Sequence, residues 1–439
     1  MDYKTSEVLE FIEENDVKFI KLAFCDIFGN QKNITIMPTE LKRAFYEGVS
    51  FDASAVTGFM KVEESDLLLF PEANTMYLLP WRPQHGRVVR FFCNIKHPDG
   101  RDFEGDCRNI LKEVIKDSKQ KGFTCKIGCE SEFYLFEQDE FGNPTMIPYD
   151  KGTYCDIYPN DRCENIRRDI CLSLEEMGIK PTSSHHEQGP GQNEIDYEYS
   201  NALSAADNLI SFRSLVKTKA SENGLFASFM PRPLETECGS GLHINISLYK
   251  DNKNIFEDKN DKQYKYAESF ISGILNRIEE ITLFLNSSTN SYKRLGKDKA
   301  PKYITWSKEN RSQLIRIPAS KGDRCRMELR SPDSSCNPYI AFALLIKAGI
   351  EGIEKNLQLC NPHNINLFNA NDNEVKNLKT LPNNLNEAIN NALNSEFIKT
   401  VLPQKTINNY IDDKKQEWDI YNSITDKFKA EKELYFEVL

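Results

Sequence analysis

GCESEFYLF, residues 128–136, is the stretch on which the fold turns. Side chains two apart in a strand point to one face, so Glu130 and Glu132 project together while Cys129 and Ser131 face the other way. Taken alone, such a pair is more often a solvated strand face. The aromatics that follow make full exposure less comfortable.

Three stretches downstream share its character. In SHHEQGPGQNEIDYEY (184–199), Glu187 and Glu194 flank a Gly-Pro-Gly turn that could bring both carboxylates together, although a turn with solvent-facing acids fits as well. His185 and His186 are adjacent and point opposite ways in a strand, so at most one joins the acids. In GSGLHINISLY (239–249), Ile244, Ile246 and Leu248 alternate with His243, Asn245 and Ser247, the period-two pattern of a half-buried strand. A lone His there is ordinarily a hydrogen-bonded core residue, and the Gly-Ser-Gly before it allows close backbone approach to a ligand. In DRCRMELRSPD (323–333), Arg324, Arg326, Glu328 and Arg330 are read onto one face. That face suits a phosphate or carboxylate site, or else a surface salt-bridge ladder.

Together the four stretches predict one site. Five or six carboxylates and one imidazole supplied by strands suit hard divalent cations with oxygen ligands. Arginines beside them suit the charge of a transferring phosphoryl group. No GxxxxGK[ST] occurs, so a P-loop is excluded.

Bulk properties narrow the class. The 439 residues give a prior of two or three domains at about 150 residues each. A net charge of -10 argues against nucleic acid as a partner. The acidic start MDYKTSEVLEFIEEND has no apolar core of signal-peptide type, and no run approaches the roughly 18 apolar residues that suggest a membrane span. The 12 cysteines are scattered without CxxC or zinc-type spacing, which predicts reduced, mostly buried thiols. A cytoplasmic protein is expected.

The first hundred residues hold short apolar runs (VKFIKLAFCDIFG, DLLLF, TMYLL, RVVRFFCNI) separated by turn signals, and read as a small β-rich unit. The polar HPDGRDFEGD (97–106) precedes a helical pattern, RNILKEVIKDSKQKG, and the boundary is placed there, giving units 1–101 and 102–439. Strands and helices alternate afterwards, so the whole is α+β. The Asn-rich segment 359–395 reads as a solvated loop and helix.

Over nearly its whole length the chain resembles type I glutamine synthetase, in the shorter form without an adenylylation insert. The motifs that carry the resemblance, in the family's order, are FDASAVTGFMKVEESDLLLFPE (51–72), HPDGRDFEGDCRN, GCESEFYLF, SHHEQGPGQNEIDYEY, GSGLHINIS, NSYKRL (290–295), ENRSQLIRIPAS (309–320) and RMELRSPD. The resemblance implies an N-terminal β-grasp-like domain and a catalytic domain with a curved antiparallel sheet flanked by helices. It implies one Mg²⁺ or Mn²⁺ site at Glu132, Glu187 and Glu194 and another at Glu130, His243 and Glu328. Arg294 would hold the α-carboxylate of glutamate and Arg330 its γ-carboxylate, beside Gly239 and Cys238. Arg311, Arg316, Arg326 and Ser247 would lie on the ATP side. Asp52, from a neighbouring subunit, and Tyr154 would form the ammonium pocket. Such enzymes are homo-oligomers, dodecamers of two hexameric rings.

Departures gather on the amine side. The family's Asn five residues before the metal-binding His is Cys238 here. The flap RLGKDKAP is one residue short and has Lys299 where the family has a Glu that helps deprotonate ammonium, leaving Asp298 as the nearest carboxylate. FDGSS has become FDASA, and Arg232 replaces a Lys. A positioned general base is worth about 10²–10⁴ in rate. The expectation is an ATP-dependent ligase forming a γ-glutamyl phosphate, with a lean towards a primary amine as acceptor. The alternatives are ammonia, as in a true glutamine synthetase, and a non-catalytic ring-forming member of the family.

Overall fold

The computed structural model describes residues 4–82, 85–258 and 260–439, with only the backbone of Glu64. The first three residues of the acidic start lie outside that range; its remainder forms the helix α1 (Thr5–Glu14). No helix among the described residues is long and apolar enough to cross a membrane.

The N-terminal apolar runs become strands β1 (Val17–Cys25), β2 (Gln31–Ile36), β3 (Val49–Asp52), β4 (Asp66–Pro71), β5 (Tyr77–Leu78) and β6 (Arg87–Lys96). They form one sheet in the order β2-β1-β6-β4-β3, with β5 also on β6. β1 and β6 run parallel in its centre. A helix, α2 (Pro38–Glu47), opens on Pro38, whose missing N–H costs nothing at that position.

Asp106 then caps the next helix, α3 (Cys107–Gln120), accepting from the N–H groups of Arg108 and Asn109. It also accepts from Ile95 N, which ties the helix start to β6.

The second sheet is built on β7 (Thr124–Gln138), a strand of 15 residues. Around it lie β8 (Pro144–Pro148), β9 (Pro181–His186), β10 (Gln192–Tyr197), β11 (Ser200–Asn201), β12 (Leu225–Ser228), β13 (Leu242–Lys250), β14 (Lys253–Asn254), β15 (Trp306–Lys308), β16 (Ile315–Ile317) and β17 (Met327–Leu329). The main path is β15-β16-β17-β13-β7-β10-β9. All its neighbours are antiparallel except β15 and β16.

One face of this sheet is apolar. Ile127, Ile195, Ile244, Ile246, Met327 and Leu329 are fully buried beneath it. At about 1.5–3 kcal/mol for each fully buried large side chain, this packing fixes the register, and with it the direction of the polar residues between.

Helices α4 (Glu164–Glu176), α5 (Ala202–Glu222), α6 (Tyr264–Leu285), α7 (Ser291–Arg294) and α8 (Pro338–Glu354) follow in the chain. α8 is apolar on all sides and buried against α6. Their backbones touch through glycines: a Cβ on Gly273 would lie 2.2 Å from Ala348 O, and one on Gly352 would lie 2.1 Å from Ser269 O.

The C-terminal segment braces the short helix α7. Glu431 accepts from Asn290 Nδ2, and Tyr435 Oη accepts from Thr289 N while donating to Glu417. The Asn-rich stretch forms loop and short helices as expected, but Cys360, His363 and Asn364 also bond to Trp306 and Ser307 of β15. The cysteines are free, most of them buried.

Candidate active site

Register alone brings the acids together. In the β7–β10 ladder Glu132 stands opposite Glu194, and Glu130 opposite Asp196. In the β7–β13 ladder His243 stands opposite Glu130. On the far side of β13, Asn245 pairs with Glu328, which also pairs with Arg316 of β16. The polar residues therefore form a continuous belt across five strands.

Except for the buried Asn245 and Glu328, the belt lines a cavity of about 580 Å³. Its lining includes the acids Glu130, Glu132, Glu187, Glu194 and Asp196 with His243. Arg294, Arg311, Arg316, Arg326 and Arg330 line it as well, with Tyr154, Cys238, Gly239, Asp298 and Lys299 at one end.

Three groups among the described residues have donor atoms within 4.8 Å of one another; Asp150, Asp161 and Cys163 lie outside this cavity's lining, and the two on the belt are Glu130, His243 and Glu328, and His185, Glu187 and Glu194. The first is the trio expected for one metal site. The second keeps Glu187 and Glu194 but includes His185, whose Nε2 lies 3.1 Å from Glu187 Oε1 and 3.7 Å from Glu194 Oε2. Glu132 stays beside this group, and its Oε2 accepts from Gly241 N at 2.8 Å.

The two histidines of the pair do point opposite ways. His186 is buried on the other face, with its Nε2 2.9 Å from Asp150 Oδ1.

Charge balance differs between the two groups. Glu328 meets Arg330 at 2.5 Å and Arg316 at 2.6 Å, and Arg326 lies 3.8 Å from Glu130. Burial alone would raise the Glu130 carboxyl, but the His243 hydrogen bond and charge outweigh it and hold it at about 2. On the β10 side the balance is reversed. Burial, then the carboxylates of Glu132, Asp196, Glu130 and Glu187, push Glu194 well above the ordinary carboxylate range. Burial also raises Glu132 and Asp196. Asp196 Oδ1 is buried without a hydrogen-bond partner.

Opposed carboxylates in this number, with oxygen donors and imidazole but no thiolate, fit hard divalent cations. The residues present suit Mg²⁺ or Mn²⁺.

Backbone carbonyls hold the Arg294 guanidinium. Arg294 donates to Ser331 O at 2.8 Å and to Arg330 O at 3.2 Å. A Cβ on Gly241 would lie 2.5 Å from Arg294 Nη2, so glycine there admits the guanidinium. Arg330 Nε is buried and unpartnered, a donor fit for a carboxylate oxygen.

Several expected residues lie elsewhere. Ser247 is buried and donates to Cys325 O at 3.0 Å, so its hydroxyl is committed to the sheet outside the cavity lining. Arg324 is not on a shared strand face: it belongs to a short turn (Gly322–Arg324), and β17 begins only at Met327. Asp52 is exposed at the end of β3, where it accepts from Ser54 N at 2.9 Å, away from this cavity. His185, Gln188, Gln192 and Asp196 join the lining without having been singled out as site residues in the sequence. Asp196 could have been found, because it shares the alternation of Glu194 in NEIDY.

Near Tyr154 and Lys299 in the lining, Cys238 Sγ lies 3.4 Å from Gln188 Oε1, and its carbonyl accepts from Tyr134 Oη at 2.5 Å. Asp298 Oδ2 pairs with Arg232 Nη1 at 3.0 Å. Lys299 Nζ lies 5.4 Å from the centre of the Tyr154 ring.

Comparison with known proteins identifies the family. The family described as glutamine synthetase, catalytic domain, matches residues 104–433, and the glutamine synthetase beta-Grasp domain matches residues 16–98. A glutamine synthetase of Clostridium saccharobutylicum is 45% identical over 426 residues, covering 96% of each chain. One from Methanosarcina mazei is 44% identical, covering 95% of each. Among solved structures, a GmaS/ADP complex superposes with a TM-score of 0.87 at 27% identity, covering 99% of this chain and 100% of that one. Plasmodium falciparum glutamine synthetase superposes at 0.86 and 26%, covering 98% of each. With both domains matched in order and full-length relatives above 40% identity, the chain belongs to the glutamine synthetase family of ATP-dependent ligases.

Proposed function

We propose that the chain condenses the γ-carboxylate of glutamate with a primary amine through a γ-glutamyl phosphate. Arg330, with its unpartnered buried Nε, would hold the γ-carboxylate, and Arg294 would hold the α-carboxylate. Arg311, Arg316 and Arg326 would face the ATP phosphates, where positive charge offsets the oxygens of the transferring group. Glu130, His243 and Glu328, with Glu132, Glu187 and Glu194, would hold the divalent cations, which when bound polarise phosphoryl oxygens.

The acceptor assignment is carried by one observation. The flap offers no unengaged carboxylate: Asp298 is paired with Arg232, and the neighbouring side chain over Tyr154 is the Lys299 ammonium. No base for ammonium stands at that position and a cation stands there instead, so the pocket lacks the contact that would hold a bare ammonium ion; an organic amine can be held through its substituent and does not depend on that contact.

The second reading, ammonia as acceptor, is favoured by the relatives named glutamine synthetase at 44–45% identity and by the retained Tyr154 and Asp52. The exposed position of Asp52, away from its own chain's cavity, supports a ring assembly in which a neighbouring copy supplies it, a dodecamer on the family's pattern.

The two readings separate when enzyme, ATP, Mg²⁺ and glutamate are incubated with ammonia or with a panel of amines and the products are weighed by mass spectrometry. γ-Glutamylamides at amine concentrations where little glutamine forms support the primary amine. Efficient glutamine formation at low ammonium overturns it.

A further inference from the structure

The lining of the acceptor end carries more charge than a small neutral amine requires. Lys297, Asp298 and Lys299 all line the cavity from one exposed loop. That loop is pinned rather than free-hanging. Asp298 takes a left-handed φ of 52° and pairs with Arg232, while Arg232 in turn donates to Lys293 O and Glu235 O. With the central carboxylate turned to Arg232, two ammonium groups flank it and border the cavity.

Neither lysine has an ion-pair partner among the described residues, and Lys299 rests its charge on the Tyr154 ring. The carboxylate Glu187 lines the same cavity, and its charge is felt at Tyr154 and Cys238, so the lining combines carboxylate from the acidic belt with two ammonium groups from the flap. A purely cationic amine meets repulsion from the two lysines. A zwitterion offers each kind of lining charge its opposite.

The geometry points to an acceptor that carries a carboxylate as well as its amine, an amino acid, with Lys299 and Lys297 as the residues that select it. This inference rests on the primary-amine reading above. In the reaction, the acceptor's ammonium first gives one proton to solvent water, and the neutral amine nitrogen then attacks the γ-carbonyl carbon of γ-glutamyl phosphate, forming a C–N bond. The C–O bond to phosphate breaks, its electron pair leaving on the phosphate oxygen, and that phosphate takes up the proton the nitrogen sheds. The product is a γ-glutamyl amino acid. The acceptor's carboxylate takes no part in the bond changes, so its contacts act mainly on binding.

The test uses the full-length enzyme with ATP, Mg²⁺, glutamate and matched acceptors: glycine against methylamine, β-alanine against ethylamine, and ammonia. Products are identified by mass and kcat and KM are measured for each. The expected result is a preference of at least tenfold in kcat/KM for the carboxylate-bearing member of each pair. Lys299→Gln and Lys297→Gln should raise the KM for that member about 10–100-fold with a smaller change in kcat, as loss of uniform binding requires. Lys299→Arg, which keeps the charge, should retain the preference. Equal use of methylamine and glycine by the unaltered enzyme overturns this inference and leaves the primary-amine reading standing. Product from ammonia alone overturns that reading itself. A preference untouched by both Gln variants overturns the assignment to these lysines.

Discussion

Glu132 and Glu194 face each other directly across the β7–β10 ladder, a half-buried and a buried carboxylate in one register pair. Like charges placed opposite in a sheet destabilise by roughly 0.2–1 kcal/mol, and more where burial removes solvent screening. The sheet accepts this cost at the position where cations would be held.

Glu194→Gln should therefore make the metal-free protein more stable and the enzyme worse. We expect the thermal midpoint in chelator to rise by about 1–3 °C, and the upward shift that Mg²⁺ or Mn²⁺ gives the unaltered protein to shrink. Turnover should fall by about 10²-fold or more. Thermal melts with and without metal, alongside phosphate release, check both halves.

Glu328→Ala removes a carboxylate that joins His243, Arg316 and Arg330. Two buried or half-buried guanidiniums then lose their partner, so stability should fall by about 3 kcal/mol while ATP-dependent turnover is abolished. Denaturant unfolding and a coupled ADP assay report these separately.

Lys299→Glu, combined with Cys238→Asn, should restore a base at the flap. Ammonia use, measured as kcat/KM for glutamine formation, should rise about 10–100-fold. No gain in either the single or the double variant would contradict the account of the acceptor end.

The legible and illegible parts of the sequence separate along a physical line. Alternation in GCESEFYLF and HINIS is a local signal, and it placed Glu130, Glu132 and His243 on the belt. The Gly-Pro-Gly turn likewise brought Glu187 and Glu194 together through His185. Which residues on one strand face enter a cavity depends on distance along the strand, which alternation does not encode. Ser247 is four positions beyond His243, about 13 Å at 3.3 Å per residue, and so falls past the cavity to bond Cys325. The alternation of Arg324, Arg326, Glu328 and Arg330 runs on through a turn, so period two alone does not separate Arg324 from the strand. Cross-strand partners such as Asp196 opposite Glu130 depend on register, which follows from the packed face beneath.

Stability should depend on acid through a pair far from the site. The Arg277 hydrogen bond, against some burial, holds the Glu351 carboxyl at about 2, below its ordinary 4.5. A depressed carboxyl contributes stability above its unfolded pKa and loses it as pH falls through the folded value. That contribution is present above about pH 4.5 and lost between there and about pH 2; solvent screening limits it to about 1 kcal/mol. Glu351→Gln should flatten the pH dependence of unfolding in this window and nowhere else, which denaturant melts from pH 2 to 6 would show.

The central claim is that the carboxylate–arginine cavity activates a carboxylate by phosphorylation before an amine attacks. Glutamate labelled with ¹⁸O in its γ-carboxylate tests it directly. One labelled oxygen should appear in each phosphate released during turnover with ATP, Mg²⁺ and the preferred amine. Phosphate released at the same rate without label would contradict the account.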